Sequence, residues 1–122
     1  MDREAFIKGM ERESMNSLSE EEIRASIPEA IDAMWKGREG MPRGHMDLIV
    51  VMEELAELTQ EVSKYLRGKG DNVGLLEELA DVQFCIWYVQ EICGIRDETL
   101  AKACSVKSNR VKNRILMTGR YE

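Results

Sequence analysis

Two stretches decide the fold of this 122-residue chain, and they repeat one pattern: Glu53-Glu54-Leu55-Ala56-Glu57 and Glu77-Glu78-Leu79-Ala80-Asp81. In each stretch two carboxylates stand three residues apart, which on an α-helix places them on one side, one turn apart. The first pair is Glu54 and Glu57, and the second pair is Glu78 and Asp81. Two such pairs on facing helices would offer four oxygen ligands in a small volume, a set that suits Mg²⁺ or Mn²⁺. The pattern therefore predicts two neighbouring helices with a divalent-metal site between them.

The composition favours a single all-α domain over residues 1–122. No stretch alternates apolar and polar residues as a β-strand does, and the chain contains only two prolines. The net charge of −6 argues against a general nucleic-acid binder, because phosphate backbones attract basic surfaces. The charge is uneven, however, with six basic residues and one acidic residue from Leu100 onward. A local basic patch of this kind could hold one phosphorylated small molecule.

Nothing in the sequence predicts secretion or a membrane. The three cysteines are an odd number without Cys-x-x-Cys spacing, a pattern typical of reduced thiols in a cytoplasmic protein. The N-terminus has no apolar run of the kind that a signal peptide contains. The longest apolar stretch, residues 82–89, is interrupted by Gln83 and is too short to cross a membrane. We therefore expect a cytoplasmic protein.

The first 40 residues are expected to form a helical extension ahead of the acidic helices. A weakly amphipathic pattern predicts a helix over residues 2–15. Ser19 and Glu22 have the spacing of a capping box, which predicts that a second helix begins there. Pro28 suits the first turn of a further helix. Glycines and a proline between residues 37 and 44 then indicate a loop.

Residues 46–66 form the first strongly periodic segment. The apolar residues recur with 3-4-3 spacing, which predicts an amphipathic helix. At about 100° per residue, the carboxylates Glu54, Glu57 and Glu61 fall beside this apolar stripe, where an unpaired carboxylate is costly. A glycine-rich turn over residues 68–74 is expected to follow the helix.

A second helix, over residues 75–93, is apolar nearly all round. No charged residue occurs from Val82 to Gln90, so we expect this helix to be buried on most of its faces. The other helices are too few to cover it, and a second protomer is expected to complete a four-helix core in a homodimer or a homotetramer. Gly94 is placed to end the helix, and residues 97–116 are expected to form a last helix with a frayed tail behind it.

The residue types that are missing narrow the choice of metal. A di-iron carboxylate bundle needs Glu-x-x-His on its helices, whereas the only histidine, His45, lies in the loop before the first acidic helix. An all-oxygen site favours Mg²⁺, with Mn²⁺ as a substitute. A single Glu-x-x-Glu is most often a solvated helix face. The repetition of the pattern, and the position of Asp81 at the start of an uncharged stretch, favour the metal site here.

The two acidic pairs resemble the signature of a known family. Glu54-x-x-Glu57, twenty intervening residues and then Glu78-x-x-Asp81 are similar to the motif of the all-α nucleoside triphosphate pyrophosphohydrolases, the MazG-like superfamily. The residues that flank each pair are also similar to those of family members. The resemblance covers residues 45–115 and is weakest over the N-terminal extension.

The resemblance implies Mg²⁺-dependent cleavage between the α- and β-phosphates of a (deoxy)nucleoside triphosphate, which gives a monophosphate and pyrophosphate. The four carboxylates of the two pairs would then carry the metal, which neutralises the triphosphate and activates a water. Three neighbouring acids are candidates for holding an additional ion or for accepting the proton of the water: Glu53, Glu61 and Glu77. The N-terminal 40 residues are expected to shape the choice of base.

Basic, amide and aromatic residues are candidates for substrate binding. Lys64 could reach a phosphate, although an ion pair with Glu57 or Glu61 on its own helix explains it equally well. By resemblance, Lys107 and Arg110 of the last helix would contact the phosphates, and the alternative is a solvated helix end that complements the helix dipole. Two further candidates would contact the base or the sugar: Asn109, for which simple exposure is the alternative, and Trp35.

The sequence thus predicts a homo-oligomeric nucleotide pyrophosphohydrolase that removes surplus or unwanted triphosphates. Two other hypotheses stay open. One is a helical interaction module that keeps this fold without catalysis, against which the intact set of four acids argues. The other is a phosphoribosyl-ATP pyrophosphohydrolase, because those related enzymes use the same core.

Overall fold

The computed structural model describes residues 3–14 and 18–122, which form five α-helices and no strand. In chain order these are α1 (Arg3–Ser14), α2 (Glu20–Trp35), α3 (His45–Leu66), α4 (Asn72–Cys93) and α5 (Asp97–Thr118). The predicted all-α class is confirmed. The chain divides into two compact units, Met1–Ile92 and Cys93–Glu122. Within the described ranges, no helix combines the length and the apolar character that crossing a membrane requires.

The second helix begins at the predicted capping box but does not break at the proline. The Ser19 hydroxyl accepts from the Glu22 backbone N–H at 3.2 Å, and the Glu22 carboxylate accepts from the Ser19 N–H at 3.4 Å. A new helix beginning at Pro28 is wrong, because Pro28 lies inside α2. A proline in a helix interior costs about 3 kcal/mol. Its neighbours Ile27 and Ile31 are 3% and 0% exposed, and burying each contributes about 1.5–3 kcal/mol, so packing offsets the cost.

The loop between α2 and α3 fixes where α3 begins. Gly44 has a left-handed φ of 85°, which favours glycine. A Cβ at this position would also lie 2.9 Å from the side chain of Ile92 on α4. The Trp35 indole N–H donates to the carbonyl oxygen of Met41 at 2.6 Å and ties the loop to the end of α2. The start of α3 is therefore held close to the C-terminal part of α4.

The fourth helix begins earlier than the sequence predicts, at Asn72 instead of residue 75. The Asp71 carboxylate accepts from the Gly74 backbone N–H at 3.0 Å and so caps the first turn. Gly74 belongs to the helix, not to the preceding turn, and the Glu61 carboxylate fills the space that a Cβ at position 74 would need. This glycine therefore marks a close approach of α3 to α4.

The hydrophobic core of the first unit is small. Among the described residues, the buried apolar side chains are Ile27, Ile31, Val73 and Cys85. The expectation that α4 is buried on most faces is not met within one chain, since Leu79 and Phe84 are 55% and 42% exposed. A second protomer that covers these side chains stays a prediction.

The second unit contains α5 and the C-terminal residues, and α5 ends at Thr118, two residues later than the sequence predicts. Gly119 ends the helix with a φ of 70°, and its N–H donates to the Ile115 carbonyl at 2.7 Å. The Arg114 guanidinium donates to the Tyr121 carbonyl at 3.1 Å, and the Thr118 hydroxyl accepts from the Arg120 N–H at 3.2 Å. These bonds hold the residues after the helix.

Candidate metal centre

The acidic residues of α3 and α4 meet because the two helices run antiparallel. Glu61 of α3 lies against Gly74 in the first turn of α4. One turn earlier on α3 and one turn later on α4, Glu57 lies close enough to Glu78 to raise the pKa of its carboxyl group. One turn further along both helices, Glu54 of α3 lies near Asp81 of α4, whose charge raises the pKa of Glu54. Spacings of three and four residues on both helices keep these side chains on the facing surfaces.

The four carboxylates form one compact cluster. One oxygen from each of Glu54, Glu57, Glu78 and Asp81 lies within 4.8 Å of the others. Glu54 and Glu78 are half-buried, whereas Glu57 and Asp81 are exposed. The sequence expectation that these four side chains converge is therefore met.

The carboxylates of the cluster raise one another's pKa values. Burial, then the charges of Glu57, Asp81 and Glu78, raise the pKa of Glu54 from 4.5 to about 7. Burial, followed by the neighbouring carboxylates, also raises the pKa of Glu78. Glu54 Oε2 and Glu78 Oε2 are buried without a hydrogen-bond partner, although such groups are normally satisfied. A bound cation would remove both the repulsion and the unsatisfied oxygens.

These residues fit a hard divalent cation. All donor atoms of the cluster are carboxylate oxygens, which Mg²⁺ and Mn²⁺ prefer. The partly exposed side of the cluster leaves room for water or phosphate oxygens, which Mg²⁺ retains in its coordination shell. The cluster supplies no nitrogen or sulfur of the kind typical of zinc sites.

The three neighbouring acids differ in their relation to this cluster. Glu61 is close enough that its charge raises the pKa of Glu78, and its carboxylate accepts from Lys64 Nζ at 3.1 Å. The ion-pair alternative for Lys64 is therefore observed, although its side chain stays about half exposed, at 48%. Glu53 and Glu77 are exposed and are not among the groups that shift the pKa of Glu54 or Glu78. Glu61 is thus the best placed of the three.

A cavity of about 210 Å³ adjoins the cluster. Its polar lining includes Glu54 and Asp81 of the cluster together with Asp47 and Tyr88. The remaining lining side chains are Met34, Val50, Val51 and Cys85. Asp47 did not emerge from the sequence as a candidate, although it continues the spacing of Glu54, Glu57 and Glu61 towards the start of α3. This helical spacing could have identified Asp47 as a candidate from the sequence.

The comparisons with known proteins find no matching family model, curated protein or solved structure. The resemblance to the MazG-like pyrophosphohydrolases therefore rests on the residues of this chain alone. The geometry of the four carboxylates is independent of that resemblance.

The remaining candidates are not brought to the cluster by any described contact. Trp35 lines a different cavity, with Asp32 and residues 36–39. Lys107, Asn109 and Arg110 are exposed on α5, in the second unit. Their roles in binding a substrate stay predictions.

Proposed function

We propose that this protein is a Mg²⁺-dependent nucleoside triphosphate pyrophosphohydrolase. The observation that carries the proposal is the cluster of Glu54, Glu57, Glu78 and Asp81, whose oxygens lie within 4.8 Å of one another. Buried oxygens of two of these residues lack a hydrogen-bond partner. Four converging carboxylates destabilise a fold unless a cation balances them. A cluster of this composition is suited to holding Mg²⁺ beside a phosphate chain.

The proposed reaction converts a (deoxy)nucleoside triphosphate and water into a monophosphate and pyrophosphate. Water forms a bond to the α-phosphorus, the bond from that phosphorus to the α–β bridging oxygen breaks, and pyrophosphate leaves with the electron pair. Bound Mg²⁺ would supply charge neutralisation and lower the pKa of the water. Glu61, one turn from Glu57 and next to Glu78, accepts the proton of the water. Lys64 holds the Glu61 carboxylate through their ion pair.

Cations elsewhere in the chain are proposed to bind the phosphates. Lys107 and Arg110 stand three residues apart on α5 and so share one helix face. Both are exposed. Asn109 and Trp35 are proposed to contact the base or sugar. We further propose a cytoplasmic homodimer or homotetramer, since α4 exposes large apolar side chains and the cysteines are free.

The proposal is tested by measuring the release of pyrophosphate from a panel of canonical triphosphates, with Mg²⁺ and with a chelator. Asp81→Asn removes one charged ligand with little change in volume, and we expect it to lower kcat/KM at least about a hundredfold. Glu91→Gln is the matched control, because Glu91 is an exposed acid of the same helix away from the cluster. Equal turnover by wild type and Asp81→Asn would contradict the assignment. No turnover of any triphosphate would leave the interaction-module hypothesis as the better account.

A further inference from the structure

The cavity beside the acidic cluster has one charged group at the end away from the metal ligands. This group is Asp47, in the first turn of α3, and it lines the cavity together with Tyr88 of α4. Burial, followed by the charge of Asp47, raises the pKa of Tyr88, so the two side chains are near neighbours. Val50 and Cys85 follow in the lining and lead to Glu54 and Asp81. One continuous wall therefore runs from Asp47 to the cluster.

Asp47 is buried and only partly satisfied. The residue is 4% exposed, and its Oδ2 is buried without a hydrogen-bond partner. Burial raises the pKa of Asp47, while a hydrogen bond with its own backbone and the nearby charge of Arg43 lower it. A buried acceptor without a donor costs about 1–3 kcal/mol. The side chain is thus ready to accept a hydrogen bond from a ligand.

A purely structural role explains this residue incompletely. An aspartate in the first turn favours a helix through the dipole, and that role is filled equally well by an exposed side chain. It requires neither near-complete burial nor an unsatisfied oxygen beside a cavity. Both features are expected where the missing partner is a ligand.

The position of Asp47 suits the base of a nucleotide. Asp47 and Glu54 are seven residues apart, about 10 Å along the helix axis, which is comparable with the length from a base edge to the first phosphate. The wall between them is largely apolar, as the face of an aromatic ring requires. The cavity volume of about 210 Å³ is below the range of about 300–1,000 Å³ that drug-sized ligands occupy. The volume favours a single ring over a purine.

We propose that this cavity receives the pyrimidine base of the substrate and that Asp47 selects cytosine by accepting a hydrogen bond from its 4-amino group. An aspartate accepts well from this amino group, whereas uracil presents a carbonyl oxygen at the same position and would be repelled by a carboxylate. The inference rests on the proposed function, because it places the triphosphate of the same ligand at the acidic cluster. Asp47 would be a specificity-determining residue without a part in the bond-breaking step.

The test compares dCTP with dUTP, which share the sugar and the phosphates and differ in the base. We expect wild-type kcat/KM to favour dCTP by about tenfold or more. The triphosphate of 2-pyrimidinone deoxyriboside, which lacks the 4-amino group, should lose the same advantage. This arm uses the wild-type protein alone and so does not depend on a variant that folds. A ratio near one, a preference for dUTP, or a preference for purine triphosphates would overturn the inference while leaving the hydrolase in place.

The variant arm uses Asp47→Asn, which preserves the volume of the side chain and removes its charge. We expect the dCTP to dUTP ratio of kcat/KM to fall towards one. An unchanged ratio in a folded variant would contradict the role of Asp47. Calorimetry with the α,β-methylene analogues of dCTP and dUTP separates binding from hydrolysis. Tighter binding of the cytosine analogue, without turnover of any triphosphate, would support the cavity assignment and refute the proposed reaction. Absence of binding by both analogues would refute the cavity assignment.

Discussion

The affinity of the acidic cluster for Mg²⁺ should rise with pH between 6 and 8, because a proton competes with the ion at Glu54. Burial and the neighbouring carboxylates raise the pKa of Glu54 to about 7 in the metal-free protein. At pH 6 this carboxyl is mostly protonated and must lose its proton when the ion binds. At pH 8 it is already ionised, so the competition has largely ended.

The expected size of this effect follows from one titrating group. A single proton with a pKa of about 7 changes the apparent association constant by about tenfold between pH 6 and pH 8. About 0.9 proton should be released for each ion bound at pH 6, and about 0.1 at pH 8. Burial and the neighbouring carboxylates also raise the pKa of Glu78.

Isothermal titration calorimetry in buffers of different ionisation enthalpy measures both the affinity and the number of protons released. Glu54→Gln should weaken binding and flatten the pH dependence, whereas Glu91→Gln should leave both as in wild type. An affinity that does not change from pH 6 to pH 8, without proton release at pH 6, would refute the reasoning about Glu54.

The same shift fixes the sign of a stability effect in the metal-free protein. The pKa of Glu54 is raised from 4.5 in the unfolded chain to about 7 in the folded protein. Between these values the folded state binds more protons than the unfolded state, so the free energy of unfolding falls as pH rises. Mg²⁺ should oppose this loss, and most strongly at pH 8.

Three other outcomes concern the fold and the assembly. Gly44→Ala should lower the free energy of unfolding by about 1–3 kcal/mol, because the new Cβ would lie 2.9 Å from a side chain of α4 at a φ of 85°. Gly37→Ala should lower it less, since Gly37 has a φ of 79° and open space around it. Equal losses for the two variants in urea unfolding would contradict the contact between Gly44 and α4. Ile31→Ala should lower the free energy of unfolding by about 2–5 kcal/mol, because Ile31 is fully buried. Ile49→Ala should lower it clearly less, because Ile49 is exposed. A larger loss for Ile49→Ala would contradict the position of the core. Leu79→Arg should convert the oligomer to a monomer, as measured by light scattering, since Leu79 is an exposed apolar residue of α4. A wild-type protein that is already monomeric would refute the proposed oligomer.

The helices and the acidic cluster were accessible from the sequence because both depend on regular spacing. The 3-4-3 periodicity located α3 to within one residue at its start, and the repeated carboxylates identified the residues that meet across the helices. Such signals are local and survive folding unchanged. The short connection between the two long helices explains the antiparallel pairing that the structure shows.

The differences arose where contacts distant in sequence decide the outcome. Pro28 stays inside α2 because Ile27 and Ile31 are buried on either side of it. The presence of a proline in the sequence does not reveal whether its neighbours are buried. Gly74 belongs to α4, and the Glu61 carboxylate of α3 occupies the space that a Cβ there would need. The importance of Asp47 depends on its burial and on the cavity beside it, which no pattern of residue types reports.

Anomalous diffraction at the manganese edge, from crystals grown with Mn²⁺, is the most direct test of the central claim. We expect one strong peak between α3 and α4, about 2.0–2.2 Å from carboxylate oxygens of Glu54, Glu57, Glu78 and Asp81, and no peak there in Asp81→Asn crystals. Crystals that contain Mn²⁺ at other surface acids but not between these four carboxylates would contradict the assignment of the cluster as a metal centre.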